Sequence, residues 1–169
     1  LEKGTHKAIN RFRSLAQRVS RNNTRTVWVL KCDIKKFFAN INHAILKDVL
    51  RKYIDDDDVL WLLGQIIGSF ETVSGASNGN HPRPSLERRG YGLPLGNLTS
   101  QLLVNIYMNE FDQFVKRTLK IKHYIRYADD FIIIHQDKRY LESLLPKISE
   151  FLETKLKLQL HPNKVFIKT

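Results

Sequence analysis

With 169 residues and 42% apolar side chains, the chain can build one domain with its own core and is too apolar for a disordered tail. No apolar run approaches the roughly 18 residues of a membrane span. No signal-peptide pattern opens the sequence, and the lone Cys32 excludes an internal disulfide, so the expectation is a cytoplasmic protein with no membrane contact. The 28 basic side chains exceed the 17 acidic ones, and the resulting charge of +11 favours polyanion partners such as nucleic acid, with plain solubility as the alternative.

Residues 5–21 repeat apolar positions (Ile9, Phe12, Leu15, Val19) at spacings of three and four, which predicts a helix. After the turn "NNTRT", the β-branched run "VWVLKCDI" (27–34) reads as a strand. Asn42 is placed to cap a helix over "HAILKDVLRKYI", and the acidic run 55–58 suits the start of a second helix, because a helix N-terminus favours negative charge. That acidic run reads as a solvated helix start, with a metal site as the alternative. Residues 72–97 are rich in Gly, Pro, Ser and Asn and read as a long loop. Helical pattern resumes over 98–119, followed by two strands, "KHYIRYA" and "FIIIHQ", meeting at Asp129 and Asp130. A helix over 138–156 follows, with Pro146 a potential kink, and "KLQLHPNKVFIKT" reads as a closing strand pair around "HPN". The expected fold is α/β (α+β): helices on one face of a small, mainly antiparallel sheet.

The adjacent Asp129 and Asp130 raise the main question. Buried carboxylates are costly without partners, and neighbours repel each other. A tight turn relieves the conflict if the side chains emerge at the sheet edge, and a bound cation relieves it further. Asp33 ends an otherwise apolar strand and supplies a third carboxylate. Three such groups can hold two Mg²⁺ ions, which prefer oxygen ligands. Two ions roughly 3.5–4 Å apart can serve a phosphoryl transfer. Ordinary turn chemistry explains each aspartate taken alone.

The combination is more specific. "RYADDF" between two strands, preceded by "DIKKFF" and "GLPLGNLTSQ", resembles the palm of reverse transcriptases over essentially the whole chain. The opening "EKGTHKAI" is similar to the segment that follows the fingers in bacterial and group II intron-like enzymes. The resemblance implies a palm with the adjoining end of the fingers, the remaining fingers and the thumb being absent. It implies an RNA-directed DNA polymerase that uses Mg²⁺ (two ions, with Mn²⁺ a substitute), an RNA template, a DNA or RNA primer, dNTPs and, as a further partner, a basic accessory protein.

Residue by residue, it implies that Asp33, Asp129 and Asp130 form the metal-binding set, with the Ile34 carbonyl as a further oxygen. They would share one pocket at the open sheet edge, on adjacent strands. The backbone of Lys35, Lys36 and Phe37 would lie near the incoming triphosphate, where amide donors suit phosphate. Phe38 would lie under the sugar and exclude a 2′-hydroxyl, with simple core packing of Phe37 and Phe38 as the alternative. Pro94, Leu95, Gly96, Gln101 and Ala128 would line the nucleotide site. Lys164 would stand near the triphosphate or pyrophosphate, or be a solvated lysine.

Many relatives carry glutamine at the position of Leu95 and proline at that of Gln101. The segment "LGNLTSQ" resembles diversity-generating retroelement enzymes, which copy RNA with frequent errors opposite adenine. A group II intron-like or phage-defence enzyme is the nearest alternative, and a noncatalytic nucleic-acid-binding scaffold the alternative of another class. Arg126 is open between a phosphate and an acidic partner. The basic residues of 3–25 are open between backbone contacts, a partner protein and a solvated face. The six histidines show no zinc spacing with cysteine.

Overall fold

The computed structural model describes residues 5–69 and 90–169. Most of the expected long loop, and the loop's His81, therefore lie outside the described residues. The chain divides into two compact units, Leu1–Lys35 with Phe111–Thr169, and Lys36–Glu110.

The first unit is built on a four-stranded sheet with strand order β2-β3-β1-β4. Its strands are β1 (Trp28–Cys32), β2 (Tyr124–Tyr127), β3 (Asp130–His135) and β4 (Phe166–Lys168), and every pairing is antiparallel. β1 and β3 are central and pair Trp28 with His135 through Cys32 with Phe131. Because side chains alternate across a strand, Leu30, Cys32, Phe131 and Ile133 share one face, and all four are buried. Helix α5 (Lys138–Leu156) lies on that face and buries Leu141, Leu144, Ile148, Leu152 and Leu156. Each such side chain contributes about 1.5–3 kcal/mol on burial. Phe111 links the layers, with ring centroids 5.0 Å from Phe131 and 6.1 Å from Phe151 of α5.

Helix α1 (Thr5–Val19) lies against the other face: its Leu15 and Val19 form a core with Ile134, flanked by Phe12, Val29 and Ile125. Helices therefore occupy both faces rather than one. Periodicity shows that a helix is amphipathic but not which side of the sheet it covers.

Two further expectations change. Residues 157–169 do not pair with each other. Leu160 bridges Ile34 and β4 pairs with residues 29–31 of β1, so both stretches line one flank of β1. Between the Ile34–Leu160 and Lys31–Phe166 pairs, β1 advances three residues and its partner six, so "HPN" sits in a three-residue excess thrown out as a loop. The helix expected over 98–119 ends as α4 (Leu98–Gln113) and continues as a widened π turn, Phe114–Thr118, in which Phe114 stacks on Phe151 at 4.1 Å. Pro146 sits within α5 without ending it. Glu142, whose carbonyl loses its partner, is exposed to water.

The second unit contains a short 3₁₀ turn (Phe38–Asn40), α2 (His43–Arg51), α3 (Asp57–Gly68) and most of α4. Asn42 caps α2 as expected, its side chain accepting from the Ile45 N–H at 3.0 Å. Within the acidic run, Asp56 caps α3 and Asp57 and Asp58 fill its first turn.

Candidate active site

Asp33 directly follows β1 and Asp130 opens β3, so both emerge at the same end of the two central strands. They lie at strand ends rather than at a lateral edge, because β2 and β4 flank them. Alternation puts Asp33 and Asp130 on the face that carries Lys31 and Ile132. Asp129 belongs to the two-residue turn closing the β2–β3 hairpin, between the paired Tyr127 and Asp130.

The turn is strained and held. Ala128 has a φ of +52°, a left-handed conformation that costs a non-glycine residue about 1–2 kcal/mol. Arg126 Nη1 donates to the Ala128 carbonyl at 3.0 Å, while its Nε and Nη2 bind both oxygens of Asp112 at 2.9 and 2.8 Å. The Tyr124 hydroxyl donates to the same carboxylate at 2.7 Å. Burial opposes the charge of Arg126, but the bonds and negative charge of Asp112 more than offset it and raise the pKa. Burial and the Asp112 charge likewise push the Tyr124 phenol up. Arg126 is thus paired with an acid, and it ties Asp112 to the Asp129 turn. Asp112 escaped the sequence reading. Its only trace is an acid beside the core residue Phe111, fourteen positions from its partner.

Two of the three carboxylates each contact a lysine. Lys164 Nζ lies 3.1 Å from Asp33 Oδ2, with Asp33 nearly buried and Lys164 largely exposed. The "HPN" loop delivers it: His161 N–H donates to the Asp33 carbonyl at 2.8 Å, and Lys164 N–H to the His161 carbonyl at 3.1 Å. Lys31 Nζ lies 3.4 Å from Asp130 Oδ1, a charge contact that does not satisfy this buried oxygen by a hydrogen bond. Burial pushes the Asp129 carboxyl up; its own backbone N–H and Lys164 pull it down, while the charges of Asp33 and Asp130 raise it further.

The donor set suits a hard divalent cation: three carboxylates at one sheet end, one with an orphaned buried oxygen and one whose pKa is raised by burial and then by its acidic neighbours. Among the described residues no three carboxylate, imidazole or thiol groups stand gathered around one point. Asp33 and Asp130 are each drawn to a lysine.

Ile34 is buried. Lys35 is exposed and its N–H donates to the Gln159 carbonyl at 2.8 Å, so that amide is committed to the sheet and not offered to a phosphate. Lys36 is exposed with a φ of +46°.

In the second unit, Phe37 is core and Phe38 half-buried, their rings meeting edge to face at 5.4 Å. The glycine-rich segment comes to Phe38: Leu93 N–H donates to the Phe38 carbonyl at 2.8 Å, and Gly92 N–H to Ile41 at 2.9 Å. His43 Nε2 anchors the Gly92 carbonyl at 2.7 Å. A Cβ on Gly92, whose φ is +95°, would stand 3.5 Å from the Ala39 carbonyl. Pro94 is half-buried, Leu95 is 78% exposed, and Gly96 and Gln101 are exposed. Leu95 and Gln101 therefore do not serve as packing for the start of α4.

Comparison with known proteins bears on the family and the fold. The profile of the family "Reverse transcriptase (RNA-dependent DNA polymerase)" matches residues 3–169. Protein YkfC of Escherichia coli K12 is 27% identical over 198 residues, covering 98% of this chain and 49% of its own length. The group II intron-encoded protein LtrA of Lactococcus lactis is 23% identical, covering 83% of this chain and 32% of its own. The chain thus spans half or less of these relatives. Among solved structures, apo telomerase of Candida tropicalis superposes with a TM-score of 0.69 at 16% identity, covering 99% of this chain and 35% of that one. Telomerase of the same organism in complex with a TWJ fragment of telomeric RNA gives 0.71 at 15% identity, covering 99% and 30%. These two show a shared, polymerase-palm-like fold. With its α/β palm architecture and the family match over residues 3–169, the chain belongs to the reverse transcriptase family.

Proposed function

We propose that residues 1–169 form the palm, with the adjoining end of the fingers, of an RNA-directed DNA polymerase. A primer 3′-oxygen bonds to the α-phosphate of a dNTP, the bond to pyrophosphate breaks, and the hydroxyl proton passes to water. Asp33, Asp129 and Asp130, with the Ile34 carbonyl, would hold Mg²⁺ or Mn²⁺. When bound, the pair of ions supplies positive charge to the attacking and leaving oxygens. The chain's own residues do the rest. Arg126 and Asp112 fix the turn that carries Asp129. Lys164 leaves Asp33 and is free to meet the negative charge of the departing pyrophosphate. Phe38 excludes the 2′-hydroxyl, with the 91–93 segment bonded against its backbone.

The observation that supports the reading is the placement of three carboxylates at the same end of the two central strands, where burial, and then the charges of its two neighbours, raise Asp129. RNA template, primer and dNTPs are the substrates it proposes, and a basic accessory protein the further partner. The test is primer extension on RNA with Mg²⁺ by the whole protein. Asp129→Asn should abolish extension and leave the circular dichroism spectrum unchanged. Equal extension by the mutant rejects the assignment and leaves the noncatalytic scaffold.

Within the family we assign the chain to the error-prone, diversity-generating class, because the apolar Leu95 stands exposed beside the flexible Gly96 with no hydrogen bond to offer a base. The similarity to LtrA favours a group II intron-like enzyme as the second reading. Sequencing cDNA copied from one RNA separates them: errors concentrated opposite adenine support the first, and errors spread evenly support the second.

A further inference from the structure

At the end of the first unit's sheet away from the carboxylates lies a groove of about 370 Å³. Its floor is aliphatic but closed: Val19, Ile121, Ile133 and Ile134 line it, and each is buried. Gln136 Nε2 donates to the Val19 carbonyl at 2.6 Å and ties the end of α1 to the end of β3 beneath it. Its walls are basic. Arg18 and Arg21 come from the end of α1 and the turn after it, and Lys120 and Lys122 from the segment entering β2. All four are exposed, and no carboxylate lines the groove.

Two imidazoles complete it. His123 Nδ1 is buried without a hydrogen-bond partner. The His135 ring lies tilted against that of Tyr140, ring centroids 4.3 Å apart. Burial lowers the pKa of His123, and the charges of Arg18, His135 and Lys122 lower it further, so the groove disfavours one more positive charge.

We propose that this groove binds the phosphate backbone of RNA, as a second contact separate from the site of synthesis. Five residue steps along β3 separate Asp130 from His135, about 17 Å at strand spacing, so a nucleotide at the carboxylates does not reach it. Unpaired cations without carboxylates suit closely spaced phosphates. The His135–Tyr140 pair offers a ring for a base to stack on. An acidic protein is the poorer occupant, because the groove's aliphatic residues are all buried and give a protein partner no apolar anchor. The proposal rests on the polymerase reading only for the choice of RNA among polyanions.

The test is fluorescence anisotropy of a labelled single-stranded RNA with the whole chain at several salt concentrations. Each lost phosphate contact lowers the steepness of log K against log salt by about 0.7 for single strands. Lys120→Gln with Lys122→Gln should therefore lower it by about 1.4 and weaken binding on the order of tenfold at moderate salt. Arg18→Gln with Arg21→Gln should act alike, which guards against misfolding of either pair. Lys147→Gln with Lys155→Gln, the same charge loss on the exposed side of α5, should have a clearly smaller effect. Asp129→Asn should leave this binding unchanged while removing extension, so failure of the groove and failure of the polymerase reading are told apart. Unchanged salt dependence in both groove variants, an equal effect of the α5 pair, or equally tight binding of a polyglutamate peptide of matching charge would each overturn the proposal.

Discussion

Arg126 shows how much a single side chain can decide. It makes three bonds at once, two to Asp112 and one to the carbonyl of the strained Ala128. Lysine would keep the charge but lose the planar fork. Arg126→Lys should therefore cost only about 1–2 kcal/mol in urea unfolding, yet lower kcat for primer extension more than tenfold with little change in KM for dNTP. Arg126→Met, which strands Asp112, should cost about 3–5 kcal/mol. Asp129 has the opposite balance. Its raised pKa means that ionisation is disfavoured in the folded chain, so its effect on stability is least adverse at low pH and worsens as pH rises through the folded pKa. Asp129→Asn should raise the melting temperature of the metal-free protein at neutral pH and lose that advantage in millimolar Mg²⁺. A calorimetric scan with and without the ion reads both. Cys32, fully buried on β1 with its thiol pushed up to about 12, should resist iodoacetamide at pH 8 until denaturant is added.

At the scale of elements, the clearest parts of the sequence were those with local causes. The 3.6-residue pattern and the Asp137 cap define α5 over the span read from the sequence, and Asn42 and Asp56 begin their helices as side-chain chemistry requires. The hairpin about Asp129 and Asp130 was legible from its β-branched flanks. What stayed hidden depends on distant partners: the pairing of residues 157–169 with β1, the face that α1 covers, and the Asp112–Arg126 bond. The π turn after α4 is likewise set by the Phe114–Phe151 stack rather than by helix propensity. The start of α4 carries a prediction. Gln101 N–H donates to the Asn97 carbonyl at 3.1 Å, a bond that the proline of many relatives cannot make. Gln101→Pro should cost about 1 kcal/mol, whereas Leu95→Gln, at an exposed position, should cost almost nothing and lower misincorporation opposite adenine. Denaturation and cDNA sequencing of the two single mutants separate stability from fidelity.

At the scale of the whole molecule, the carboxylates are local islands in a chain of charge +11. In the first unit the acidic end and the basic groove lie at opposite ends of β3, giving that sheet an electrostatic direction. Nucleic-acid binding should therefore weaken steeply with salt even in Asp33→Asn, because cations away from the metal site supply most of the attraction. A mutant whose affinity fell as far as that of the groove variants would show instead that the carboxylate end dominates binding. Phe38 and the glycine-rich segment belong to the second unit, while the carboxylates belong to the first.

The loop between Leu160 and Phe166 has a consequence for how such a site diversifies. The register of β4 with β1 is set by the pairs from Lys31–Phe166 to Val29–Lys168, apart from the Ile34–Leu160 bridge, so a change of loop length should leave it in place. Insertion or deletion there leaves the sheet's alternation intact and alters only the leash on which the Lys164 ammonium approaches Asp33. Length alone should therefore retune the grip of that cation, and on the polymerase reading a ladder of loop lengths grafted into one sheet should spread Mg²⁺ affinity into a graded series without touching a single carboxylate.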